Sequence, residues 1–164
     1  MNDILCMEMQ KYKYLKIGNQ NIQGGAYNKL SHPDLVKIVH NHDIFCIQEA
    51  CLENDSEGSE TPEISGYKCY KNLRNKGKKK RVFGGNLIYY RAEYENKYIK
   101  KLGSKYQDFL WIWVDGKYFH LPTDLYICSV YIPHENSIIH TERTNDPFKI
   151  LAEETAVYEK QGKA

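Results

Sequence analysis

Apolar positions in this chain fall into short runs separated by polar, glycine-containing stretches. One run begins at Leu15-Lys16-Ile17 and passes through Gly18-Asn19-Gln20-Asn21-Ile22 to Gly24. A second, Ile44-Phe45-Cys46-Ile47, ends in Gln48-Glu49-Ala50. Short apolar runs bounded by turn residues are the pattern of buried strands. Between them, Ser31 to His40 reads as a helix: Ser31 is the expected cap, Pro33 sits in the first turn, and Leu35, Ile38 and Val39 share one face. A strand–helix–strand unit sets its strands parallel and gathers polar groups at their C-terminal ends. Asn21 and Glu49 are therefore expected at one rim of a sheet.

Residues 53–65 are acidic and poor in apolar side chains, which predicts a loop. A short strand is expected from Tyr67 to Tyr70, and β-type runs cover 86–91, 96–102, 109–115 and 125–131. Asp115-Gly116 has the composition of a hairpin turn. The segment 146–158 reads as a helix with Asp146 as cap, Pro147 at its first position, a face made of Phe148, Leu151, Thr155 and Tyr158, and Gly162 as its stop. Strands and helices in this order predict an α/β sandwich, two packed sheets with helices outside. Residues 1–13 read as a lead-in and 14–164 as one domain.

Composition narrows the picture only modestly. The chain has 164 residues, 14 of them Tyr, and its 23 Lys+Arg against 21 Asp+Glu give a net charge of +2. That balance does not by itself mark a nucleic-acid binder. The charge is unevenly placed, however: Lys76, Lys78, Lys79, Lys80 and Arg81 put five basic groups into six residues, a candidate contact for a phosphate backbone. The five cysteines show no CxxC spacing, and Cys46 and Cys128 fall inside apolar runs, which predicts buried thiols and an intracellular protein, nuclear or cytoplasmic. His40, His42, Cys46 and Cys51 match no zinc template. No apolar run approaches the ~20 residues that span a bilayer, and Met1 to Leu5 lacks the basic start of a signal peptide.

A carboxylate beside an amide suits a hard, hydrated cation such as Mg²⁺ or Mn²⁺, which takes few protein ligands. The motifs that carry this pair extend along the chain: Asn21-Ile22-Gln23-Gly24, Gln48-Glu49, the Gly84-Gly85 that opens the strand Asn86-Leu87-Ile88-Tyr89-Tyr90-Arg91, and Ile127 to Val130 followed by Tyr131-Ile132-Pro133. In this order and spacing they resemble the endonuclease/exonuclease/phosphatase superfamily, which includes exonuclease III, the apurinic endonucleases and DNase I. The closest resemblance is to the endonuclease domain of LINE-type retrotransposons and their domesticated relatives.

The resemblance implies the N-terminal part of a four-layer α/β sandwich of DNase I-like fold and a Mg²⁺- or Mn²⁺-dependent hydrolysis of DNA phosphodiesters. It implies that Glu49 is the metal ligand, that Asn21 orients it or the phosphate, and that Tyr131 contacts the scissile phosphate. Gln23 departs from the acidic residue found there in exonuclease III-like enzymes. Arg91 and His134 are open to a phosphate contact or to a structural, solvated role. The family's later motifs, Gly-Asp-x-Asn and Ser-Asp-His, do not occur in these residues. The resemblance thus implies that a C-terminal half of the domain is needed for cleavage and that this portion alone is inactive. A non-catalytic binding remnant and the phosphatase branch of the superfamily are the alternatives.

Overall fold

A computed structural model describes residues 14–52, 60–74, 84–132 and 146–162 of the chain. Two sheets carry the fold. The first has the order β1-β2-β4-β3, from β1 (Ile17–Asn21), β2 (Ile44–Gln48), β3 (Tyr67–Asn72) and β4 (Asn86–Arg91). The second has the order β5-β6-β7, from β5 (Ile99–Leu102), β6 (Phe109–Val114) and β7 (Leu125–Val130). β1 and β2 are parallel, with Asn21 opposite Gln48, and every other pairing is antiparallel.

The run 44–48 is apolar throughout because β2 is covered on both faces. On one face Phe45 and Ile47 join Leu87 and Tyr89 of β4 beneath α1 (Ala26–Leu30) and α2 (Pro33–His40). On the other, Ile44 and Cys46 meet Ile88 and Tyr90 of β4 and Leu110, Ile112 and Val114 of β6, closing the sheets on each other. The outer face of the second sheet, with Trp111 and Tyr126, is covered by α3 (Pro147–Glu159). The chain is thus a mixed α/β sandwich, and among the described residues no helix is long and apolar enough to cross a membrane.

Several local details differ from the sequence expectation. The cap of α2 is His32, whose Nδ1 accepts from Asp34 N; Ser31 bonds back to Tyr27 O at 2.8 Å and closes α1, a helix too short to show periodicity. Ile38 is exposed and only Leu35 and Val39 of its proposed face are buried. Asp115-Gly116 does not make a two-residue hairpin, because β7 starts only at Leu125. Asp124 reaches back instead, accepting from Gly116 N at 3.0 Å and from Trp113 Nε1 at 2.9 Å.

Helix α3 is capped by Asp146, which accepts from Phe148 N at 2.9 Å, but its face is rotated. Phe148 is exposed, while Pro147, Ile150 and Glu154 are buried. The Glu154 carboxylate explains the rotation: it accepts from Trp111 Nε1 at 2.7 Å, Lys105 N at 2.6 Å and Ser104 Oγ. A buried polar anchor satisfied three ways outweighs an apolar stripe that periodicity alone would place inward. Gly162 follows the last turn and packs so closely on Asp124 that a Cβ would stand 2.7 Å from its carbonyl oxygen.

The four sheet edges are unlike one another. β3 carries Lys68 and Lys71 and β5 carries Lys100 and Lys101, the charged residues that blunt solvent-facing edges. β1 (Ile-Gly-Asn-Gln-Asn) and β7 (Leu-Tyr-Ile-Cys-Ser-Val) carry no charge and no proline. β7 packs over β2 and β4, so β1 projects beyond the second sheet and the two uncharged edges border one cleft. Among the described residues no strand pairs with either edge, and uncharged edges of this kind template pairing with other chains. Asn19→Lys, which places a charge on β1, is expected to reduce light scattering of concentrated protein while leaving the far-ultraviolet circular dichroism unchanged. Equal scattering by the variant and the parent would place self-association elsewhere.

Candidate functional site

The parallel β1–β2 pairing brings Asn21 and Glu49 together. Ile22 N donates to Gln48 O at 3.1 Å and Gly24 N to Glu49 O at 2.7 Å, so the ladder continues past both strand ends. At this rim Asn21 Nδ2 donates to Glu49 Oε1 at 2.6 Å, and Asn21 Oδ1 accepts from Gln23 N at 3.0 Å. The Gln23 amide thus fixes the Asn21 side chain that aims the carboxylate. Gln23 contributes its backbone to this arrangement.

The turns around the pair are held in left-handed backbone. Gln23, Glu49 and Cys51 have φ of 52°, 53° and 53°, and Gly24, Gly84 and Gly85 follow the same sign. Non-glycine residues persist there only where their surroundings over-determine them, and such residues concentrate at functional sites. Here the surroundings are other turns: Ala50 N donates to Gly85 O at 3.1 Å and Cys51 N to Gly84 O at 2.8 Å. Gly84 also lies against the Arg74 side chain, where a Cβ would stand 3.1 Å from Nε.

Tyr131 follows β7, in the other sheet, and lines the same cleft as Asn21 and Glu49. The cleft has a volume of about 730 Å³, with Cys46, Ile127 and Ile132 among its apolar walls and Gln48 and Ser129 at its polar end. Gln48 Nε2 donates to Ser129 Oγ at 3.0 Å and so ties β2 to β7 beneath the rim. Burial, and then the Glu49 charge, push the Tyr131 phenol above its ordinary range. At neutral pH it is a hydroxyl donor in the cleft that, among the described residues, Glu49 alone lines with a carboxylate.

Below the rim lies a polar cluster that the sequence did not announce. Arg74 donates from Nε at 2.6 Å, and from Nη2, to the Asp108 carboxylate, which is fully buried. Burial pushes the Asp108 carboxyl up, and the two Arg74 hydrogen bonds act against it. Asn86 Nδ2 donates to the carbonyls of Asp108 and Ser129, and its Oδ1 has no partner among the described residues. Of these, only Asn86 carried a sequence signal, as the residue directly after Gly84-Gly85. Arg74 flanks a loop, and Asp108 is one polar residue before an apolar run.

Other candidates fall elsewhere. Arg91 ends β4 at the opposite end of the sheet, where it donates to Asp43 at 3.0 Å and to the His40 carbonyl, so its role is structural. His42 Nδ1 meets Ile38 O at 2.8 Å and the His40 ring lies tilted against Tyr67, apart from Cys46 in the core. Lys76, Lys78, Lys79, Lys80 and Arg81, together with Pro133 and His134, lie outside the described residues.

Whether Mg²⁺ or Mn²⁺ fits here is decided by donors. Glu49 is half-buried, its Oε1 engaged by Asn21, and its Oε2 has no hydrogen bond among the described residues. No group of three or more His, Cys, Asp or Glu side chains forms among them. One aimed carboxylate fits a cation that keeps several waters and completes its shell with substrate phosphate. The sequence matches no protein-family model and no curated protein.

Asn21→Asp replaces the donor to Glu49 with a second carboxylate. Two carboxylates at this spacing retain one proton, and the upper apparent pKa of the pair rises above the usual carboxylate range. The folded state then binds a proton that the unfolded chain releases. Relative to the parent, the variant is therefore most stable below the usual carboxylate pKa and loses stability as pH rises through the raised value. At this exposed rim the loss is expected to be about 1 kcal/mol. Urea midpoints of both proteins between pH 4 and pH 8 read the effect, and a difference that stays constant with pH contradicts the pairing.

Proposed function

We propose that this chain is the N-terminal portion of a metal-dependent phosphodiesterase acting on DNA. In this reading it belongs to a four-layer sandwich of DNase I-like fold, an endonuclease domain of the LINE-type branch of the endonuclease/exonuclease/phosphatase superfamily. One observation carries the reading: the 2.6 Å hydrogen bond that aims Glu49 from Asn21 lies at the rim of a cleft shared with Tyr131. A carboxylate aimed by an amide, opposite a phenol donor, is a minimal cradle for one phosphate.

In the proposed mechanism Glu49 would hold Mg²⁺ or Mn²⁺, and Asn21, bonded to Oε1, fixes the carboxylate plane. Such an ion would supply charge neutralisation at the phosphate and lower the pKa of water. Tyr131, protonated at neutral pH, donates to a non-bridging phosphate oxygen and holds the phosphate at the rim. The basic run at 76–81 tracks the DNA backbone. Hydrolysis also needs a positioned base, and among the described residues Glu49 is the only Asp, Glu or His lining the cleft. The base is assigned to the C-terminal part of such a domain, and the uncharged β1 and β7 edges are where that part would pair.

The same observation favours a second reading, a non-catalytic remnant that binds nucleic acid at this rim and cuts nothing. For these residues alone both readings expect binding without cleavage, and plasmid nicking that depends on Mn²⁺ and is lost in Glu49→Ala would contradict that shared expectation. The site itself is tested by Mn²⁺-induced broadening of amide resonances. Amides of Gly24, Glu49 and Tyr131 are expected to broaden, more so with a short DNA duplex present, and Glu49→Gln abolishes the effect. Broadening unchanged in Glu49→Gln would remove the site.

The basic run has its own test. Neutralising Lys76, Lys78, Lys79, Lys80 and Arg81 together is expected to reduce the slope of log K for DNA against log salt by up to about 4.5, since each phosphate contact contributes about 0.9. An unchanged slope places the DNA surface elsewhere.

A further inference from the structure

We propose that Arg74 and Asp108 are positioning residues for the candidate site. Their buried ion pair is the strut that sets the Glu49 turn against the Tyr131 turn. The proposal rests on the phosphodiesterase reading only in taking Glu49 and Tyr131 to act together.

The two turns belong to different sheets, so nothing in the strand ladders fixes their separation. Arg74 follows β3 of the first sheet and Asp108 precedes β6 of the second, and the pair bridges them. Each partner also bears one of the turns. The Arg74 guanidinium lies against Gly84, and Gly84 O and Gly85 O receive the amides of Cys51 and Ala50 that directly follow Glu49. Asp108 O receives Tyr131 N at 3.1 Å, and Asn86 Nδ2 steadies the same carbonyl. A line of contacts therefore runs from the Glu49 turn through Gly84, Arg74 and Asp108 to Tyr131.

Stability is a poor reason for such a pair. Replacing a buried ion pair with apolar residues of similar volume is often neutral or stabilising, whereas removing one partner is costly. What an apolar contact cannot reproduce is the fixed distance and plane of a guanidinium fork on a carboxylate. Gly84 points the same way: its φ of 77° disfavours a side chain, and a Cβ there would crowd Arg74 Nε at 3.1 Å.

The test is the double variant Arg74→Met/Asp108→Leu in the full chain, with amide exchange read residue by residue by NMR. The variant is expected to melt cooperatively, with the amides of β2 and β6 as protected as in the parent. Exchange at Tyr131 and Cys51 is expected to accelerate at least roughly tenfold, because local openings are set by local contacts. Unchanged protection at both amides overturns the proposal. Should the double variant not fold, Arg74→Lys, which keeps the charge and loses the fork, is read in the same way: faster exchange at Tyr131 and Cys51 supports the strut and parental rates refute it. Mn²⁺ broadening in parent and Glu49→Gln is measured alongside. Absence of cation binding at Glu49 removes the phosphodiesterase reading, whereas the exchange rates decide the strut.

Discussion

The parallel pairing of β1 with β2 is the constraint on which the site depends. Its register sets Asn21 opposite Gln48 and lets the next carboxylate, Glu49, turn out beside the Asn21 amide. A slip of one residue would reverse every side chain of β1, because successive side chains alternate between faces. The register is fixed from below as well as above. Lys16 N donates to Asp43 Oδ2 at 2.9 Å at the lower end, and Gly18 leaves no room for a side chain against Phe45 and His42.

A site divided between two sheets requires a second kind of constraint. Hydrophobic packing between Cys46, Ile88, Leu110 and their neighbours holds the sheets together but is non-directional. Direction comes from the polar groups at the upper end: Gln48 to Ser129, Asn86 to the carbonyls of Asp108 and Ser129, and Arg74 to Asp108. Partly satisfied buried networks are costly, and Asn86 Oδ1 has no partner among the described residues. Left-handed backbone at Gln23, Glu49 and Cys51 lies at the same end.

The strands, the parallel unit and the meeting of Asn21 with Glu49 were legible in the sequence because short apolar runs and strand-end polar groups are local signals. Side-chain partners far apart in sequence were not. The rotated face of α3 follows from Glu154 bonding to Trp111, and the His32 cap from a neighbouring helix of five residues that took Ser31 for its own end. Arg74 and Asp108 were invisible for the same reason: they stand 34 positions apart, and only the packing of one sheet on the other joins them. Arg91, with two readings open at the outset, proved to be a structural partner of Asp43 because β4 runs antiparallel to β2 and ends away from the rim.

The central claim is that the rim of the β1–β2 pair presents Glu49 to a divalent cation and, through it, to a phosphate. Anomalous diffraction at the manganese edge, from crystals of the chain grown with Mn²⁺ and a short DNA duplex, tests it most directly. The account predicts a peak about 2.0–2.2 Å from Glu49 Oε2, with a phosphate oxygen completing its shell and the Tyr131 hydroxyl on the same phosphate. A Glu49 carboxylate bonded to Asn21 alone, with manganese bound at other side chains, would contradict it.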